Sequence, residues 1–479
     1  MSRLSFIPSN KGFNPFYVTG ATMSKFCYYR WMSKSRRRNK VDTTQISPAS
    51  ITRLSHEGRG IAQIDGKNTF LFGGLPEEAV LFHYTQKRGR FDEGDVTEVL
   101  SASPERTTPG CEHFALCGGC SFQHANHALQ LSHKQSVLLE QLEHMAHLKV
   151  PQVLAPLTGA IWGYRRKARL GVRYVAKKES VLVGFRERKS PYLAQLNSCK
   201  ILDPKVGELI TPLRELITLL ESFDKIAQIE VAVDDTRAAL VFRNLVTLSE
   251  KDEAKLRAFG EQHTLWIYLQ PGNETTVYKI YPKNDKSLLE YKLSAFNLRF
   301  QFHPLDFVQI NNEVNQKLVA LAITLLDPKP TDTILDLFCG LGNFTLPLAT
   351  LADKVIGVEG SDKMVERAYS NAKLNAISNV EFYAANLQGD LNPEDPWTNQ
   401  TFDKILLDPP RTGAAEIVPQ LSNWKPQRIV YVSCNPATLA RDAALIVALG
   451  YTLTQAGIID MFPHTAHVES IAVFEKSKE

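Results

Sequence analysis

With 479 residues the chain is too long for one compact core, so about two to four domains are expected. Its composition, 44% hydrophobic and 22% charged, is ordinary for a globular protein. No apolar run nears the roughly 18 uncharged residues of a membrane span, the N-terminus lacks the apolar core of a secretory signal, and a net charge of +4 does not by itself imply nucleic acid. A cytosolic protein without a membrane partner is expected.

Residues 1–40 carry turn formers, scattered aromatics and a basic run (Lys34, Arg36, Arg37, Arg38, Lys40) without periodicity. A basic, mostly disordered extension is expected there. Met23 and Met32 are alternative starts, so residues 1–31 need not belong to the working protein.

Residues 41–104 break into short β-like runs punctuated by glycine, the pattern of a small barrel. SHEGRGIA and GLPEEAV in this section resemble the TRAM domain, an RNA-binding barrel attached to RNA-modifying enzymes. Glu77 stands in that second turn where the domain usually has glycine.

The section 105–305 opens with CEHFALCGGC, which spaces Cys111, Cys117 and Cys120 by five and two residues; Cys199 follows 78 residues on. Close spacing in a cytosolic chain favours a metal or catalysis over disulfides. Four thiolates suit an iron–sulfur cluster or zinc, and zinc could instead take Cys117, Cys120 and His124 with one more ligand. HALQLSHKQSVLLEQLEHMAHL then repeats apolar residues at helical spacing. RRKARLGVRYV, VLVGFRERK, IAQIEVAVDD and AALVFRNL are strand-like, with an amphipathic helix in VGELITPLRELITLLESF. Arg165, Arg166, Lys167, Arg169, Arg173, Arg186, Arg188 and Lys189 are interleaved with Tyr164, Tyr174 and Phe185. Cations beside stackable rings suit single-stranded RNA; the plainer reading is a solvated charged face.

From 306 to 479 strands and helices alternate, the signature of a doubly wound, Rossmann-like α/β sheet. ILDLFCGLGNFTLPLA is a strand, a glycine turn and a helix, with Asp336 before the turn. Glu359 closes the next strand, where an acid can accept both hydroxyls of a ribose, and Asn386 ends the third, where it could address an adenine edge. The third glycine of a dinucleotide fingerprint is missing, and Phe344 would crowd a pyrophosphate. S-adenosylmethionine is therefore favoured over NAD.

KILLDPPR ends the fourth strand at Asp408, RIVYVSCN ends the fifth at Cys434, and IIDMFPHTAHVES brings Glu469 to the next. All three are expected on the carboxyl rim that carries the glycine turn. A thiol, an aspartate and a glutamate beside a methyl donor suit carbon methylation of a pyrimidine. Thiolate addition at C6 of uracil makes C5 nucleophilic, and a base then removes the C5 proton. Cys434 is the expected nucleophile, Glu469 the base and Asp408 an orienting group. Cys339, the rival thiol, reads as packing.

DPPRTG, IVYVSCNPAT and IDMFPHTAHVE together resemble the signatures of the RNA uracil-5-methyltransferase family, and DFVQINNEVNQ (Asp306 to Gln316) resembles the segment opening its catalytic domain. The resemblance implies that Gln309, Phe338, Asn343, Glu359, Asn386 and Asp408 contact S-adenosylmethionine. It also implies a [4Fe–4S] cluster on Cys111, Cys117, Cys120 and Cys199, rather than zinc or the open cluster of radical enzymes. Barrel and cluster together are similar to the branch that methylates a uridine of 23S ribosomal RNA. A monomer is expected. A transfer-RNA methyltransferase and a non-catalytic RNA-binding factor are the rival readings.

Overall fold

The computed structural model describes residues 45–389 and 391–477. The expected N-terminal extension, with its basic run and Cys27, lies outside the described residues.

The first sheet has six strands, Ile46–Ser50, Arg53–Leu54, Gly60–Ile64, Lys67–Phe72, Ala79–Lys87 and Phe91–Ser101. In space they run first, fifth, sixth, fourth, third, second. Alternation along AVLFHYTQK turns Val80, Phe82 and Tyr84 inward, as a half-buried strand requires. Glu77 adopts the left-handed φ of 68° that a glycine would take freely. Its neighbour Glu78 holds the turn, accepting the Leu75 N–H at 2.8 Å and a guanidinium N–H of Arg106 at 2.7 Å.

A second six-stranded sheet orders Tyr278–Tyr281, Leu265–Gln270, Ala238–Asn244, Ile226–Val233, Lys167–Val175 and Ser180–Gly184 side by side. Helices Ile210–Thr218 and Glu250–Gln262 cover one face through Leu213, Ile217, Leu256 and Phe259. On the other face Ala239, Val241, Trp266 and Tyr268 join the core of the C-terminal sheet, by way of the hairpin Leu289–Leu293 and Leu298–Phe302.

The C-terminal sheet is built on seven strands: β1 Thr333–Leu337, β2 Lys354–Glu359, β3 Val380–Ala384, β4 Lys404–Leu407, β5 Arg428–Ser433, β6 Tyr451–Ile459 and β7 Glu469–Lys476. Their order is 3-2-1-4-5-7-6. Strands β1 to β5 are parallel, and β7 inserts antiparallel between β5 and β6. Such strands are covered on both faces, which is why ILDL, KILL and IVYV read as unbroken apolar runs.

One expected boundary needs correction. The unit placed at 105–305 is not contiguous, because helix His127–Ala146 packs Val137, Leu138 and Leu142 against the C-terminal sheet and helix Pro436–Ala448. Gln152–Val153 then adds an eighth strand beside β6. The helix is fastened by a buried charge pair: the Lys134 ammonium lies 2.6 Å from an Asp460 carboxylate oxygen and donates to the Phe462 carbonyl at 3.0 Å. His127 reaches the other Asp460 oxygen at 2.8 Å. Removing one member of such a pair leaves an uncompensated charge. Lys134→Met is therefore expected to cost about 3–5 kcal/mol in urea unfolding.

Candidate active site

The parallel strands deliver their carboxyl ends to one rim. Leu337 on β1 pairs with Val358 on β2 and Leu407 on β4, so Phe338, Glu359 and Asp408 stand side by side one step beyond the sheet. The glycine turn crosses above them. Phe338, Gly340 and Gly342 take φ of 64°, 57° and 91°, a sequence of left-handed residues that the two glycines make accessible. The Glu359 carboxylate accepts the Gly340 N–H at 3.0 Å, which ties the end of β2 to the turn. Beneath it Asp336 is fully buried, accepts the Thr345 hydroxyl, and is pushed up to about 7 by burial. Cys339 is also buried, and burial lifts its thiol well above the ordinary range, as suits packing.

The other expected donor-binding residues are placed less uniformly. Asn343 turns its carboxamide away to Asn315 and to the Tyr291 hydroxyl, which donates to it at 2.8 Å. Asn386 lies two residues past β3, exposed, accepting the Gln388 N–H at 3.1 Å. Gln309 is half-buried just before helix Asn312–Leu326, in a segment held where the Arg166 N–H donates to the Ile310 carbonyl at 2.9 Å. Asn315 and Tyr291 were not anticipated; Asn315, one helical turn after the N-cap Asn311, was the readable signal.

Cys434, Glu469 and Asp408 converge. Ser433 on β5 pairs with Ser470 on antiparallel β7, so the next opposed residues at the rim are Cys434 and Glu469. The thiol is pushed up to about 11, first by burial, then by the charges of Glu469 and Asp408, with Arg411 opposing them. Burial, then Glu469 and Asp336, hold the Asp408 carboxyl well above the usual range. Glu469 is 8% exposed, its carboxylate takes no hydrogen bond among the described residues, and an imidazole nitrogen of His467 lies 3.8 Å away.

The loop entering β7 is held from several sides. The Tyr164 hydroxyl donates to the Pro463 carbonyl at 3.1 Å, Ser121 and Phe122 N–H groups donate to the His464 carbonyl, and the Trp162 ring lies over His464 at 3.9 Å. Trp162 also lines a small cavity with Cys111, Cys117, Cys120 and Cys199. Burial, with the neighbouring thiols, pushes Cys120 up to about 12 and Cys199 up to about 11. Among the described residues no three His, Cys, Asp or Glu side chains are grouped to hold a single ion. His124, considered for zinc, packs among Phe72, Phe114 and Phe122.

The expected stacking rings are corrected. Tyr164 is buried with its hydroxyl engaged, Tyr174 packs edge-on to Phe223 at 4.8 Å, and Phe185 lines the cysteine cavity. Several cations nearby are paired: Arg166 with Asp235 and Arg169 with Glu230, each at 2.6 Å, and Arg188 and Lys189 with Asp95 at 3.2 Å. Exposed rings occur instead at Tyr192 and Phe307.

A sequence model of the family described as tRNA (Uracil-5-)-methyltransferase matches residues 127–477. The chain belongs to this family. Among members, the 23S rRNA (uracil(1939)-C(5))-methyltransferase RlmD of Alcanivorax borkumensis is 53% identical over 445 residues, 93% of this chain and 100% of its own length. The RlmD of Hahella chejuensis is 52% identical, over 92% of this chain and 100% of its own. A solved tRNA (uracil-54, C5)-methyltransferase of Pyrococcus abyssi, in complex with S-adenosyl-L-homocysteine, shares the fold with a TM-score of 0.68 at 22% identity, over 89% of this chain and 100% of that one. As a uracil-5-methyltransferase family member, the chain carries a methyltransferase sheet of the S-adenosylmethionine-dependent type. Among the described residues no helix is long and apolar enough to cross a membrane.

The rim makes a pH prediction. Because the neutral thiol is favoured up to about 11, iodoacetamide should label Cys434 at a rate rising with pH and not levelling below that value. Glu469→Gln removes a charge that opposes the thiolate. Labelling at pH about 8 should then be faster than in the unmodified enzyme; peptide mass spectrometry at position 434 reads both.

Proposed function

We propose that this chain methylates C5 of one uridine in 23S ribosomal RNA, the nucleotide equivalent to 1939 in its relatives, with S-adenosylmethionine as methyl donor. The cross-strand pair of Cys434 and Glu469, with Asp408 beside it, carries this reading. RlmD relatives at 53% and 52% identity over their full length support the choice of RNA.

The reaction follows from what uracil lacks. Its C5 is a poor nucleophile, so the Cys434 sulfur bonds to C6 first, its proton leaves to water, and the ring becomes an enolate. C5 then takes the methyl group, releasing S-adenosylhomocysteine. Glu469 removes the C5 proton, the C6–sulfur bond breaks, and the thiolate recovers a proton. One proton is released over the cycle. Asp408 orients the uracil or the donor through hydrogen bonds. The uridine must be unstacked and flipped to expose the ring face. Gln309, Phe338, Asn343, Glu359 and Asn386 form the methyl-donor site; Glu359 fits a ribose, whereas Asn343 acts through the shape that Asn315 and Tyr291 give it.

The sheet over 46–101 is read as a TRAM domain contributing RNA contacts, and the enzyme as a cytosolic monomer. Cys111, Cys117, Cys120 and Cys199 are read as ligands of a [4Fe–4S] cluster. The four thiols line one cavity, and four thiolates suit such a cluster. The cluster supplies cohesion between the segments 111–120 and 199–201; no step of methyl transfer passes through it.

RNA carrying 5-fluorouracil should trap a covalent complex with the enzyme, because a C5 fluorine cannot leave as a proton. Cys434→Ala should abolish both the complex and methylation. Full activity in that variant would falsify the nucleophile. Unmodified transfer RNA and 23S RNA assayed side by side separate the two substrates; methylation of the transfer RNA alone overturns the choice of RNA. Anaerobically purified protein should contain iron and sulfide, and zinc without iron would overturn the cluster.

A further inference from the structure

Between Asp408 and Cys434 runs a loop, 411–414, that is gripped by helix Pro436–Ala448 rather than by the sheet. Asn435, the helix cap, donates its carboxamide N–H to the Arg411 carbonyl at 3.1 Å, and the Thr438 hydroxyl reaches the same oxygen at 3.4 Å. The Arg441 guanidinium donates to the Thr412 carbonyl at 2.8 Å. Asp442 is fully buried and accepts from the Ala414 N–H at 2.7 Å, the Tyr431 hydroxyl at 2.6 Å and Arg441 Nε at 2.8 Å. Residues 435, 438 and 442 share one helix face, so a single surface holds consecutive loop groups. Gly413 fits only because it lacks a side chain: its φ is 81°, and a Cβ would sit 2.5 Å from both Arg441 Nη2 and Asp442 Oδ2.

What this grip fixes is Arg411. Its carbonyl is tied to Asn435, the residue after Cys434, its side chain is exposed, and among the described residues it has no carboxylate partner. It favours the thiolate of Cys434, against Glu469 and Asp408, which disfavour it. A guanidinium on an untethered loop would spend its time in water. We propose that Asp442 and Arg441 are positioning residues, which hold the Arg411 guanidinium beside the Cys434 sulfur as it becomes an anion. This rests on the proposed role of Cys434 as nucleophile. Asp442 itself touches neither RNA nor methyl donor.

The test uses the full-length enzyme and reads the pH midpoint of Cys434 alkylation by iodoacetamide, together with methylation of a 23S RNA fragment. Asp442→Asn and Arg441→Gln should each raise the midpoint by about one unit, with a roughly tenfold loss of thiolate at a given lower pH. Arg411→Gln should raise it as much, and combining it with either variant should raise it no further, because all three act through the Arg411 guanidinium. Arg441 is half-exposed, so Arg441→Gln keeps the test alive should Asp442→Asn fail to fold. A midpoint unmoved in the folded Arg441 variant overturns the inference, and so do shifts additive with that of Arg411→Gln. Methylation surviving in Cys434→Ala is a separate failure, that of the nucleophile.

Discussion

Strand β7 runs against its neighbours, and the placement of the chemical groups depends on that reversal. A parallel strand at this position would carry Glu469 to the amino ends of β1 to β5, the length of the sheet away from the thiol. Paired antiparallel with β5, the first residue of β7 instead faces Cys434 across the ladder. Strand pairing thus sets the distance between the proposed nucleophile and base, and it does so with backbone hydrogen bonds that neither side chain has to supply. The cost falls on the loop before β7, which must reverse the chain at the rim between β6 and β7 without drifting.

That loop is held by buried polar contacts. Asp460 is paired inside the protein with Lys134 and hydrogen-bonded to His127, Pro463 is met by Tyr164, and His464 by Trp162, Ser121 and Phe122. A buried ion pair is a weak source of net stability but a strong source of register, since any other arrangement strands a charge. The helix His127–Ala146, the cysteine segment and the loop that leads into Glu469 are therefore one mechanical unit, though the helix and the loop are separated by more than three hundred residues in the chain.

Much of the C-terminal half was legible because its strands are buried on both faces and end in turn formers, so apolar runs mark their length and the residues after them mark the rim. Cys434, Asp408 and Glu469 were readable for that reason. The helix His127–Ala146 was readable as a helix but not in its destination: period shows which face is apolar, never what covers it. Lys134 reads as a solvent residue until Asp460 is seen beneath it. The three rings among the basic residues were misread, and parity held the correction. Tyr174 falls in step with Ala168, Leu170 and Val172, and Phe185 in step with Val181 and Val183, which are inward positions. The grip of helix Pro436–Ala448 on 411–414 left no sequence trace beyond the glycine it requires.

The electrostatics of the rim explain why a thiol can sit there without reacting indiscriminately. Burial and two carboxyl groups disfavour the thiolate, and Arg411 offsets them only in part. In the resting enzyme the sulfur is therefore neutral. Under the proposed reaction the anion need not persist on sulfur, because charge passes through C6 into the uracil ring as the bond forms. The Glu469 side chain that discourages ionisation of Cys434 is, under the same reading, the one that takes the C5 proton. A lower thiol pKa would make the free enzyme more open to alkylation and oxidation, so coupling ionisation to arrival of the base favours selectivity over resting reactivity.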